Sequence, residues 1–328
     1  MRCSWHHRQG FVAALFLVVG LCGLWRAQAV YAAPQGKLEA PAQGSTRSGV
    51  GVIRGWVCTA NQVEVEVEGR GKLAAAYGQP RGDTQAACGD SNNGFSLQFN
   101  WNDLGEGVHT VRALADGEEF ARAAVTVGTL GRTFFLGAPQ RDFPIANFPT
   151  DGQTTLLRWQ ESRQQFVLSN GGTPPAEGSS PRADAKLEDP GPGSLQSGIG
   201  IIRGWVCSAS EVEVEVEGRG KLAAAYGQPR ADTQAACGDS NNGFSAQVNW
   251  NDLGDGNYTV RALADGVEFG RAAFTVVTLG LGSFSMGLEG EFGLEDFPQA
   301  GRQTTVEWQE SQQNFVVLAA SPPGINRH

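Results

Sequence analysis

The chain has 328 residues, 45 of them glycine, with 34 acids against 25 bases and a net charge of −9. An acidic chain of this kind does not hold a polyanion such as nucleic acid by neutralising phosphates. Helix-favouring runs are almost absent, and short Val- and Thr-rich stretches punctuated by Gly, Asn and Asp point to strands and tight turns.

Residues 1–33 have the layout of a secretory signal peptide: Arg2 and Arg8, an uncharged and mostly apolar run from Phe11 to Trp25, then small-residue cleavage patterns at Ala27-Gln28-Ala29 and Val30-Tyr31-Ala32. The run is short for a permanent span, which needs roughly 20 apolar residues. An uncleaved anchor and a lipid on Cys22 are the alternatives, the second ill suited by the bulky Leu21. Cleavage removes Arg2, Arg8 and Arg26 but no acid, taking the net charge from −9 to −12. No comparable apolar run follows, so no transmembrane segment is expected after cleavage.

From residue 37 onward the sequence recurs 149 positions later without a gap, the second copy running to about residue 317, with about two-thirds of the pairs identical. Cys58 matches Cys207, Cys88 matches Cys237, Trp101 matches Trp250 and Trp159 matches Trp308. Residues 63–81 and 83–96 are unbroken matches, whereas 132–154 have drifted. The predicted organisation is a first module over 34–170, a Gly/Ser/Pro linker over 171–185, a second module over 186–319 and a disordered tail over 320–328.

Within the first module, Val50 to Cys58 reads as a strand. Val63, Val65 and Val67 alternate with Glu64, Glu66 and Glu68, placing valines on one face and carboxylates on the other. A long loop is expected after Gly69. Phe95, Leu97, Phe99 and Trp101 share a strand face. His109 to Ala115 and Ala121 to Val127 form a hairpin through Asp116-Gly117. Residues 155–168 form a second hairpin turning at Glu161-Ser162. The predicted fold class is all-β: two tandem antiparallel β-sandwich modules, each followed by a β-hairpin extension.

Each module keeps two cysteines, and an even count in an exported chain reads as disulfides, Cys58 with Cys88 and Cys207 with Cys237. A zinc site needs more ligands than these and His109 supply, and Tyr258 replaces His109 in the second copy.

Taken in order, Gly51-Val-Ile-Arg-Gly-Trp-Val-Cys58, Val63-Glu-Val-Glu-Val-Glu-Gly69, Arg81-x-Asp-Thr84, Gly94-Phe95, Leu104-Gly-Glu-Gly-Val-His-Thr-Val111 and Ala115-Asp-Gly117 resemble the Ig-like modules of bacterial secreted and surface proteins. The resemblance covers residues 48–130 and 197–279. It implies a non-catalytic β-sandwich acting as spacer, adhesive or accessory domain, and it carries no shared set of binding residues. The bridge here is shorter than in true immunoglobulin domains, and Trp101 lies outside it.

Several residue groups invite a functional reading. The carboxylates of Glu64, Glu66 and Glu68 lie about 6.5–7 Å apart on one face, suiting either Ca²⁺ or a basic surface, or else a solvated edge strand guarded by charge. Arg81-Gly82-Asp83 spells an adhesion tripeptide, but Arg230-Ala231-Asp232 in the second copy favours a local turn. Cys88 to Gly94 is rich in oxygen ligands yet departs from the EF-type spacing. Trp56, Trp101 and Trp159 are either core or a sugar platform. No nucleophile elbow, phosphate loop or zinc-binding histidine pair occurs, so no catalytic residue, metal or cofactor is expected.

The sequence therefore points to a secreted or surface-associated, non-catalytic binding or adhesion protein whose partner is a polysaccharide or an envelope protein. The expected ligand-binding loop residues are Tyr77, Arg81, Asp83, Asp90, Asn92 and Asn93, with Tyr226, Arg230, Asp232, Asp239, Asn241 and Asn242. The alternatives are a structural spacer of the envelope and, in third place, a hydrolase using a pair of acids such as Asp90 and Asp103.

Overall fold

Strict Val/Glu alternation makes a strand with one dry face, and that strand organises each sandwich. The computed structural model describes residues 34–321; the predicted signal segment 1–33 and most of the predicted tail lie outside them. The first copy contains β1 (Gly36–Ala40), β2 (Thr46–Arg47), β3 (Val50–Val57), β4 (Val63–Val67), β5 (Gly71–Gln79), β6 (Gly94–Asn100), β7 (Gly107–Ala115) and β8 (Glu118–Val127). They are hydrogen-bonded in the order β1-β3-β6-β5-β4-β7-β8-β2. Residues 71–75 of β5 pair with β4, whereas residues 76–79 pair with β6. The path therefore folds over at β5 into two layers. Val63, Val65 and Val67 from one layer meet Ile53, Phe95, Leu97 and Trp101 from the other in a dry core.

The Gly-Trp pair in β3 has a steric reason. A Cβ on Gly55 would lie 2.0 Å from the Lys37 carbonyl oxygen, so β1 approaches this closely only over glycine. Gly204 and Lys186 repeat the contact at 2.0 Å.

An extension follows, with β9 (Asp142–Ala146), β10 (Thr154–Gln160) and β11 (Gln165–Ser169) forming a three-stranded antiparallel sheet in the order β11-β10-β9. The predicted hairpin thus gains a third strand. The segment 171–185 includes β12 (Gly178–Ser179), which pairs with the second copy. That copy comprises β13 (Ala185–Asp189), β14 (Ser194–Gln196), β15 (Ile199–Val206), β16 (Val212–Val216), β17 (Gly220–Gln228), β18 (Gly243–Asn249), β19 (Gly256–Ala264) and β20 (Val267–Val276). Its path β20-β19-β16-β17-β18-β15-β13 repeats the first copy from β8 to β1; β14, the counterpart of β2, pairs parallel to β20, and β12 is an added antiparallel strand on β20. The second extension holds β21 (Glu291–Glu295), β22 (Gln303–Gln309) and β23 (Asn314–Ser321), so ordered strand runs past the predicted start of the tail at residue 320.

The two extension sheets share one core built from both copies. Phe148 packs against Phe292, Trp308 and Phe315 at ring-centroid distances of 5.5, 5.3 and 5.0 Å. Its counterpart Phe297 packs against Phe143, Trp159 and Phe166 at 5.4, 5.2 and 4.7 Å. Backbone contacts repeat the exchange: Val317 donates its N–H to Ser48 Oγ and Leu168 donates its N–H to Ser197 Oγ, each at 3.0 Å. When i meets j and j meets i, the interface has the logic of a two-fold dimer, here drawn within one chain.

The gapless 149-residue offset fails in one place. Gly137 donates its N–H to Glu161 and Gly287 to Glu310; Asn100 donates to the Thr133 carbonyl and Asn249 to that of Ser283. Glu161 and Glu310, like Asn100 and Asn249, are offset by 149, whereas their loop partners are offset by 150. A one-residue shift in this loop accounts for part of the drift between 132 and 154. With it, Phe134 corresponds to Phe284 and Leu136 to Met286, and all four are exposed.

Candidate functional site

The turn Gly82–Thr84, the single helical turn Gln85–Cys88 and the loop to β6 form one lobe beside β3. The Cys58–Cys88 disulfide ties it to the end of β3 with a Cα–Cα distance of 4.8 Å, and Cys207–Cys237 does the same in the second copy at 4.8 Å. Tyr77 donates its hydroxyl proton to the Val57 carbonyl at 2.8 Å. Asn93 is fully buried, donating to the Asp90 carbonyl at 3.0 Å and accepting from the Thr84 hydroxyl. The Asp90 carboxylate accepts from the Asn92 N–H at 2.9 Å and the Asn93 amide at 3.1 Å. Asn92 keeps an exposed side chain.

Arg81 bonds its own Asp83 and reaches Glu39 on β1, with nitrogen–oxygen distances to Glu39 of 2.6 and 3.1 Å. The hydrogen bonds to Asp83 hold the guanidinium above its ordinary pKa and, reciprocally, hold the Asp83 carboxyl below its own. In the second copy Arg230 pairs with Asp232 and Glu188. There desolvation by burial works against the charge, and those two partners outweigh it. Tyr226, Asp239, Asn241 and Asn242 repeat the bonds of their counterparts, Tyr226 to the Val206 carbonyl and Asn241 and Asn242 to Asp239. Most of the polar capacity of the expected binding loops is thus taken up by the chain itself.

The remaining sequence candidates resolve as follows. β4 lies between β5 and β7, so the glutamate row is on an interior strand and not on an edge. Glu66 pairs with Arg112 on β7 at 2.9 Å, Glu64 with Lys72 on β5 at 3.5 Å, and Glu68 accepts the Thr110 N–H at 3.0 Å. Two of the three carboxylates are therefore cross-strand partners of bases, and the third caps a backbone N–H. Trp101 and Trp159 are buried core, while Trp56 is half-buried. The His109 ring nitrogen Nε2 sits 3.2 Å from the Gly105 carbonyl, and the Tyr258 hydroxyl donates to those of Leu253 and Gly254 at 2.6 and 3.3 Å. The two different residues thus close the same turn. Asp103, the other acid of the expected pair, bonds Arg70 at 3.2 Å.

A groove of about 510 Å³ runs between the copies and brings together two of the expected residues. Arg54, Gln79, Arg81 and Asp83 line it from the first copy, and Lys221, Leu222 and Gln247 from the second. Arg230 and Asp232 border a separate hollow of about 400 Å³ beside Phe134, Glu188 and Arg203. Asp90, Asn92 and Asn93 line neither.

Sequence reasoning missed the buried polar groups where the copies meet. Arg163, on the turn of the first extension, donates to the Gln196 side chain at 3.2 Å and the Ile199 carbonyl at 3.3 Å. Asp189 is fully buried, accepting from Ser162 at 3.0 Å and Gln196 at 3.3 Å. Desolvation raises its pKa, and the nearby Arg163 and Arg203 oppose that rise. Only the departures Gln196 for Arg47 and Gln312 for Arg163 between the copies signal this junction in the sequence.

No protein-family model matches the chain, and no curated protein does. Among solved structures, the endo-β-1,4-mannanase from Thermotoga petrophila aligns at 11% identity over 31% of this chain and 21% of its own, with a TM-score of 0.22. Domains 5–6 of the S-layer protein SbsC align at 10% identity over 75% of this chain and 98% of theirs, with a TM-score of 0.22. A chimeric titin Z1Z2 aligns at 10% identity over 75% of this chain and 99% of its own, with a TM-score of 0.19. At such scores the likeness carries no argument about function. No helix among the described residues is long and apolar enough to cross a membrane.

Proposed function

We propose that this chain is an exported, non-catalytic binding protein of the cell exterior, and that the groove between its copies takes a segment of an uncharged or weakly charged polysaccharide. The groove carries this reading: it spans both copies and mixes polar groups, Arg81, Asp83, Lys221 and Gln247, with the apolar side chain of Leu222. Such a mixture suits hydroxyl-rich rings, which offer both hydrogen-bonding edges and apolar faces. The two disulfides support an oxidising compartment. The test is a glycan-binding screen of the mature protein followed by Lys221→Ala. Lower affinity at unchanged melting temperature is the expected result, and binding indifferent to the change removes the groove.

A structural role in the envelope is the second reading. The internal satisfaction of Tyr77, Arg81, Asp83 and Asn93 favours it. It requires that no glycan bind and that substitutions at Arg81 and Arg230 act on melting alone.

A further inference from the structure

A small space of about 70 Å³ lies where β3 of the first copy meets β15 of the second. Its walls include three counterpart pairs, Val50 with Ile199, Gly51 with Gly200 and Val52 with Ile201, so it sits close to the axis relating the copies. Its charged lining is lopsided. Three guanidinium groups, Arg47, Arg54 and Arg163, meet one carboxylate, Glu39, which already holds Arg54 and Arg81.

Arg47 is 6% exposed and Arg163 2% exposed, and neither forms an ion pair among the described residues. Among the described residues the Arg47 guanidinium donates only from Nε, to the Ser45 hydroxyl at 3.2 Å. Burial, and then the like charge of Arg54, push its pKa down to about 10. The Nε–H groups of Arg54 and Arg163 have no partner among the described residues. Asp189 lies within electrostatic reach of Arg163 but is shared with Arg203. A buried cation without a counter-charge is costly. Packing does not demand these cations, because the second copy places the neutral Gln196 and Gln312 at the counterpart positions.

We propose that this space is an anion site, binding one small inorganic anion (chloride, sulfate or phosphate) between Arg47 and Arg163 and so locking the two copies together. A cavity of about 70 Å³ takes about two waters at ~30 Å³ each, or one compact anion in their place. Gln247 also lines it and offers an amide to the anion, whereas the amides of Gln165 and Gln312 donate to the Ser48 and Thr46 carbonyls at 2.6 and 3.3 Å.

The test is thermal unfolding of the mature protein as phosphate replaces a bulky sulfonate at constant ionic strength. A ligand of the folded state alone raises the melting temperature with the logarithm of its concentration. The wild type is expected to show that rise, Arg47→Gln to lose more than half of it, and Arg47→Gln/Arg163→Gln to lose it all. An equal rise in the double variant marks a general salt effect and overturns the proposal. No rise in the wild type means that water alone fills the space, and overturns it equally. If the double variant does not fold, Arg47→Gln alone decides, since it strands no acid. In crystals soaked with selenate, the expected anomalous peak lies between Arg47 and Arg163, and its absence counts against the site.

Discussion

Phe166 of the first copy and Phe297 of the second meet edge to face with ring centroids 4.7 Å apart, both fully buried. This contact belongs to a core that neither copy completes alone. Phe297→Ala should cost about 3–5 kcal/mol, the range for truncating a buried aromatic, and Phe148→Ala a similar amount. Because the two rings fill opposite halves of one core, both variants should unfold in a single transition in calorimetry. Two separated transitions, one unaffected by the change, would show that the copies unfold independently.

Gly128 marks a very close backbone approach between the copies, since a Cβ there would lie 1.9 Å from the Val317 carbonyl oxygen. Its counterpart is Val277, which packs in the shared core. Gly128→Val is expected to destabilise by more than the ~1–3 kcal/mol typical of overpacking, because a rigid backbone has to move. Denaturant titration measures this, and a cost below about 0.5 kcal/mol, the ordinary surface range, would contradict the approach.

Each disulfide closes a loop with a sequence separation of 30. On the chain-entropy account, replacing Cys58 and Cys88 by serine should lower stability by about 3–4 kcal/mol. Tyr77→Phe removes the hydroxyl by which β5 bonds the end of β3 at Val57 and should cost about 0.5–1.5 kcal/mol. The two losses should be less than additive, since both loosen the end of β3 beside Cys58, and a double-mutant cycle reads the difference.

Glu268 accepts from both Arg271 and Arg261, and these bonds pull its carboxyl down to about 2. Glu119 repeats the arrangement with Arg122 and Arg112, and its pKa is lowered too. A carboxyl lowered on folding contributes stability above its unfolded value, near 4.3 for Glu, and loses it as pH falls towards the folded value. Glu268→Gln should therefore flatten the stability profile between about pH 4.3 and pH 2 while changing its slope little above about pH 6. An unchanged acid limb in urea titrations would remove the pairing.

Periodicity made the sandwich legible, because the valines of β4 and the aromatics of β6 each keep to one face. β5 was not legible for a physical reason. It crosses from one layer to the other, so its side chains are half-buried or exposed along its length and leave no period of two. β9 was hidden by Pro144 and by the one-residue shift upstream, and proline suits it because it lies at a sheet edge. In the candidate site, the Arg–Asp turn was readable from its persistence across copies. The groove and the Arg47–Arg163 space were not, since they exist only where residues far apart in sequence are folded together.

The reciprocal seating of Phe148 and Phe297 also bears on what two copies can grip. Matching patches related by a half-turn face a directional polymer in opposite senses, so one strand running past cannot offer both the same succession of units. On the binding role proposed above, two copies fixed by a shared core would not act as beads on a string that gain reach with slack. They would favour either one chain lying across the middle or two chains running in opposite directions, cross-linked by a single protein.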